Sequence, residues 1–293
     1  MLINRANLQA INKGFSKIFT DQLTTVSGDQ SKIATEVIAS TKTVDYAWLG
    51  DFPRMREWVG DRVLKDLSAY TYQIIGKKFE ATIEVDADDI TYDNLGIVKP
   101  RILMMATEAV EHYDELTFGL LESNGVCYDG KTFFAADHDV GGVAFSNLGN
   151  KKLTNASLLA ARAEMRGITT DAGKPLRIRP TLLIVPPELE QTAIDILKKD
   201  FLANGESNTS KGLMEYLVAD WLTNADAWYI VDNSRPIKPT ILQKNKEIKF
   251  VAMDKEDDEN VFMRDKFRYG VDSRCNAGYG LWQLAYKSTG TVA

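Results

Sequence analysis

The stretch AYTYQIIGKKFEATIEV, residues 69–85, alternates with period two. Tyr70, Tyr72 and Ile74, then Phe79, Ala81, Ile83 and Val85, fall on one side, while Glu80, Thr82 and Glu84 face the other. The pattern predicts two long strands joined near Gly76 as a hairpin. Just upstream, DFPRMREWVGDR at 51–62 suits neither a core nor an ordinary surface. Buried, its arginines would each need an acceptor; in water, Phe52, Met55, Trp58 and Val59 would form an apolar patch. Trp and Arg dominate interface hot spots, so a second surface covering this segment is the expectation. Met55, Trp58, Val59 and Val63 also fit a short helical period, which leaves packing on its own domain as the alternative. Together the two stretches read as a projecting β-loop over 45–90.

Further toward the N-terminus, Leu8, Ile11, Phe15, Ile18, Phe19 and Val26 make a helical stripe within residues 4–26. This predicts an amphipathic arm leaning on something outside the main domain, followed by a polar strap to about residue 43. Downstream, Pro100 reads as a helix start, with Ile102, Met105, Ala109, Tyr113, Leu116 and Leu120 on one face and Gly125 past the end. That is one long helix of about seven turns. Residues 125–150 show no clean period and read as a structured loop. A helix near 156–166, a buried strand TLLIV, a helix opened by Pro187, and strands at 227–231, 247–253 and 261–269 follow, with more strand in GYGLWQLAYKS. The fold class is α+β.

The 293 residues carry 35 Lys plus Arg against 41 Asp plus Glu, a net charge of −6, without the basic excess of a nucleic-acid reader. Cys127 and Cys275 form no CxxC pair, which fits a reducing cytoplasm and argues against sulfur-bound metal. No apolar run is long enough to span a bilayer, and MLINRANLQAINKGF lacks the apolar block of a signal peptide, so no membrane partner is expected.

Any histidine chemistry must run through His112 or His138. His112 lies within the long helix near Glu108 and Glu111 and reads as part of a solvated face. His138 stands between Asp137 and Asp139, but adjacent residues of an extended chain point to opposite sides and cannot all reach one ion. No HExxH, Gly-x-Ser-x-Gly elbow, EF-hand loop or phosphate loop is present. The expectation is no catalytic residue, no metal and no cofactor, with Phe133, Phe134, Asp137, His138 and Asp139 forming a structural elbow. A metal-dependent hydrolase centred on His138 is the rival of another class.

Several motifs in order resemble one family: WLGDFPRMREWVGDRVLKDL, Y-x-I…KKFEATIEV, CYDGKTFFAADHDVGG…SNL, LLIVPPELE and YGVDSRCNAGYGLWQLAYKSTG, spanning about 45–290. They are similar to the Mu-like phage and prophage major head subunit (gpT) family. The resemblance implies a Hong Kong 97-type capsid fold: an N-terminal arm (1–44), an extended β-loop (45–90), a peripheral domain with a long spine helix (91–154), an axial domain (155–255), and strands returning to the peripheral domain (256–293). It implies a virion protein assembled in a bacterial host cytoplasm, self-associating through hexamers and pentamers into an icosahedral shell around double-stranded DNA held non-specifically. Scaffold or protease and portal proteins are the further partners implied. Arg54, Met55, Arg56, Trp58, Asp61 and Arg62 would then contact a neighbouring subunit. An encapsulin-like nanocompartment shell is the rival within this architecture.

Overall fold

The structure, a computed structural model, describes residues 5–49, 72–92, 95–171, 173–201, 205–255 and 257–292. The first part of the chain forms α1 (Arg5–Thr25), α2 (Gln30–Ile33), β1 (Ala34–Ile38), β2 (Thr43–Asp45), β3 (Gln73–Ile75), β4 (Lys77–Asp86), α3 (Ala87–Thr91) and α4 (Leu95–Ser123). Next come β5 (His138–Val140), β6 (Val143–Phe145), β7 (Leu148–Lys151), α5 (Asn155–Gly167), β8 (Leu182–Val185), α6 (Glu190–Leu197) and β9 (Glu215–Val218). The chain closes with β10 (Trp228–Val231), β11 (Thr240–Met253), α7 (Glu259–Arg264), β12 (Lys266–Tyr279) and β13 (Ala285–Val292).

Two larger sheets organise most of these elements, and β2-β3 and β5-β6 pair as separate two-stranded ladders. A four-stranded sheet has the order β1-β11-β12-β4, and a five-stranded sheet the order β7-β13-β10-β8-β9. In the first, Val85, Phe267, Tyr269 and Val271 form one apolar face, and α1 and α4 cover it. Leu8, Ile11, Phe15 and Phe19 on α1 are all buried there, with Phe15 edge-on to Tyr269 at 5.1 Å and Phe19 5.4 Å from Phe250. Each such side chain contributes about 1.5–3 kcal/mol by leaving water. The predicted arm therefore leans on its own sheet and on α4, because a sheet face this apolar needs a cover. In the second sheet β8 (LLIV) and β10 (WYIV) are buried along their whole length, as central strands covered on both faces must be. α5 begins with a capping box between Thr154 and Ser157. The closing residues divide between the sheets, β12 running in the first and β13 in the second.

Four expectations change. The hairpin at Gly76 is not formed: β3 pairs back with β2, Thr43 opposite Ile75, while β4 pairs with β12 from Lys77 opposite Cys275 to Asp86 opposite Lys266. Alternation reports which face a strand buries, not which strand lies beside it. The long helix starts at Leu95, not Pro100, and spans 29 residues, about 44 Å. Pro100 lies in its second turn, where it withholds one N–H from the carbonyl of Gly96. Residues 261–264 belong to α7, which ends where Asp265 takes a left-handed φ of 53°, and the strand begins after it. The strand placed at 247–253 starts already at Thr240, since TILQKNK continues the ladder opposite β12.

Candidate functional site

Residues 124–147, between α4 and β7, build a joint. After α4, Asn124 adopts a φ of 46°, a conformation Asn tolerates. Its side-chain amide then exchanges bonds with the Phe134 backbone, donating to the carbonyl at 3.0 Å and accepting from the N–H at 2.7 Å. The Tyr279 hydroxyl, at the end of β12, donates to the Leu120 carbonyl at 3.0 Å and accepts from the Gly125 N–H at 2.5 Å. Asn147 is wholly buried and donates to the carbonyl of Phe133 at 2.8 Å, while its oxygen accepts from the Ala135 N–H at 2.9 Å. The end of α4, the loop and the end of β12 are thus locked by side-chain bonds.

Within this joint Phe133 and Phe134 are buried, and Phe133 stacks on Tyr279 at 4.8 Å. His138 is fully buried and lies flat on Trp282, ring centroids 3.9 Å apart. Its Nδ1 is 2.5 Å from an Asp129 carboxylate oxygen and its Nε2 3.3 Å from the Phe133 carbonyl. Asp137 points outward to an ion pair with Lys131, which holds its carboxyl below the usual range. Asp139 accepts the Gly142 N–H at 2.7 Å across a turn in which Gly141 and Gly142 have φ of 61° and 85°. Residues 137, 138 and 139 therefore diverge, as alternation along a strand requires. Among the described residues no three His, Cys, Asp or Glu side chains converge as a metal site.

His112 differs from its reading as part of a solvated face: its ring packs 4.2 Å from Phe79, and its Nδ1 is 3.1 Å from Glu115. Arg54, Met55, Arg56, Trp58, Asp61 and Arg62 lie outside the described residues. The flanks of their segment are described: Asp45 pairs with Gln73 in the β2–β3 ladder.

The family model for the Mu-like prophage major head subunit gpT matches residues 8–151, 142–222 and 223–293. This chain belongs to that family. The Mu-like prophage FluMu major head subunit of Haemophilus influenzae is 34% identical over 287 residues, covering 97% of this chain and 74% of that protein. The major capsid protein of Escherichia phage Mu is 29% identical over 295 residues, covering 100% of this chain and 76% of that one. Among solved structures, the procapsid of bacteriophage JBD30 superposes with a TM-score of 0.64 at 34% identity, covering 98% of this chain and 76% of that one. A virus-like particle from Pyrococcus furiosus, 10% identical with a TM-score of 0.54, shares the fold alone. The head subunit has the Hong Kong 97-type α+β capsid fold, it is a structural protein of the virion, and it self-assembles into a shell. These relatives favour neither the nanocompartment nor the hydrolase.

Sequence reasoning missed one contact that ties the head subunit together. Glu122, in the last turn of α4, accepts the Thr223 N–H at 2.6 Å, the Asn224 N–H at 2.8 Å and the Thr223 hydroxyl at 2.8 Å. Burial alone would raise its carboxyl, but these bonds outweigh burial and hold it below the usual glutamate range. The partners are about a hundred positions away in sequence, and no local pattern announces them.

Proposed function

We propose that the head subunit closes, through hexamers and pentamers, into an icosahedral shell around double-stranded DNA, assembled in a bacterial host cytoplasm with scaffold or protease and portal proteins as further partners. In this reading the four-stranded sheet with α1 and α4 serves as the peripheral domain and the five-stranded sheet with α5 and α6 as the axial domain, which moves α1 out of the 1–44 arm, β4 out of the 45–90 loop and β11 out of the 155–255 axial span, and carries β7 and β13 over to the axial domain. The segment at 51–62 lies over a neighbouring subunit, with Arg54, Met55, Arg56, Trp58, Asp61 and Arg62 at the contact. What chiefly supports this reading is similarity to shell proteins along the whole chain. The β2–β3 ladder supports the loop assignment, because it holds the two ends of the segment side by side. Heterologous contacts of one chain generate the rings such a shell needs. Contacts to DNA fall on phosphates through scattered Lys and Arg, consistent with a net charge of −6.

The test is the double variant Arg56→Ala with Trp58→Ala. Loss of an interfacial Trp and its charged neighbour costs about 2–4 kcal/mol per contact, repeated around the shell. The expected outcome is a folded subunit that no longer yields particles in sedimentation. A variant that unfolds as a monomer would instead place the segment in the subunit's own core.

A further inference from the structure

The four-stranded sheet carries opposite charge at two places along its length. At the first, midway along β11 and β12, where β4 begins and β1 has ended, Lys42, Lys77, Lys78, Lys246 and Arg274 line a cleft of about 720 Å³. Register puts Lys246 opposite Arg274 and Arg274 opposite Lys78, so three cations stand abreast on one face of β11, β12 and β4, about 4.8 Å from strand to strand. Like charges placed so are mutually destabilising. Lys246 is paired with Asp272. Lys42, Lys77, Lys78 and Arg274 are exposed, and among the described residues none of the four has an acidic partner. Two strands that end at the cleft expose isoleucines, Ile38 at 84% and Ile75 at 50%.

The second is the tip of the β11–β12 hairpin, the sequence DKEDDENVFMRD at 254–265, with six acidic and two basic residues. Asp257 and Glu259 are exposed and enter no ion pair among the described residues. α7, set on this tip, exposes Phe262 at 80% and Met263 at 69%. Both places thus combine charge with uncovered apolar surface, and the charges are opposite.

We propose that the acidic, apolar tip of one subunit seats in the basic cleft of a second copy of this chain. The two places cannot meet within one subunit. From Lys78 to Asp86 along β4 they are roughly 26 Å apart at about 3.3 Å per residue. A packaged phosphate backbone would answer the cations but leave Phe262 and Met263 uncovered, whereas the tip of a second copy answers both. The contact is head-to-tail, joining different surfaces of identical chains, which builds rings and shells rather than closed pairs. Rim charges of this kind set register and suppress wrong partners. The inference rests on self-assembly of the chain, and the parent protein is carried in every experiment, so a failure of the parent to assemble is separable from a failure of this contact.

Charge reversal with restoration decides the matter. Lys78→Glu with Arg274→Glu, and separately Asp257→Lys with Glu259→Lys, are each expected to lower particle yield at least about tenfold in sedimentation, since like charges then face each other. A chain carrying all four reversals is expected to regain assembly, because the complementarity is inverted but intact. The neutral pair Lys78→Gln with Arg274→Gln, gentler on folding, is expected to lower particle yield and to flatten the salt dependence of assembly, and Phe262→Ser to weaken assembly without changing that dependence. Circular dichroism of each unassembled variant establishes its fold. Parent-like assembly of both reversed variants, or no gain in the fourfold reversal, overturns the proposal. Normal empty particles that fail only to retain DNA would assign the cleft to the nucleic acid instead and overturn it equally.

Discussion

Glu122 shows how much a single carboxylate does in this subunit and how little of it can be read locally. A negative charge at a helix C-terminus is unfavourable to the macrodipole, yet this one is held by two backbone N–H groups and a hydroxyl from Thr223 and Asn224. The folded carboxyl is held below its ordinary value, so its contribution is complete above the unfolded value and is lost as pH falls through the folded one. Glu122→Gln is expected to cost the unassembled subunit about 1–2 kcal/mol near neutral pH, allowing for the partial exposure of the site. Thermal unfolding should show that penalty shrinking as the pH drops below the ordinary glutamate range. An equal penalty at neutral and acid pH would mean that the charge plays no part. In the elbow, the Asp139–Gly142 turn was legible from residue type, because its donor and acceptor are three positions apart. The stacking of His138 on Trp282 was not, since the partner ring arrives from the far end of the chain.

At the scale of elements, the helical stripe of α1 announced a buried face but not what would bury it. The structure seats it on the subunit's own sheet, with Phe19 almost completely buried against Phe250. Phe19→Ala should therefore lower the stability of the unassembled subunit by about 3–5 kcal/mol, read as a shift in denaturant midpoint. Unchanged subunit stability with assembly alone impaired would return the helix to a neighbouring molecule. The same distinction explains the other departures. Period two in 69–85 showed strands but could not tell a local hairpin from a ladder with β12, about two hundred residues on. Pro100 resembled a start because proline favours first turns, yet the preceding Leu95–Lys99 segment is helical as well. α7 escaped notice because six residues are too few for a period, although Asp258 before it and Asp265 after it hold the extended and left-handed conformations that bound a short helix.

For the whole molecule, composition and motif order carried the reading further than chemistry did. The sequence holds none of the familiar catalytic motifs, while the ordered motifs along the chain pointed to a shell protein, and the family match and the solved procapsid agree with that. Among the described residues the chain has two larger sheets, a joint that follows α4, the β2–β3 ladder, and a long hairpin ending in an exposed acidic tip. What no single chain displays is the copy beside it, so the surfaces that matter for assembly show up only as uncovered apolar side chains and unpaired charges. The most direct test is electron microscopy of the purified full-length chain, alone and with scaffold supplied, over a range of salt and protein concentration. The account predicts closed particles built of five-fold and six-fold rings. Monomers alone under every one of those conditions would contradict it.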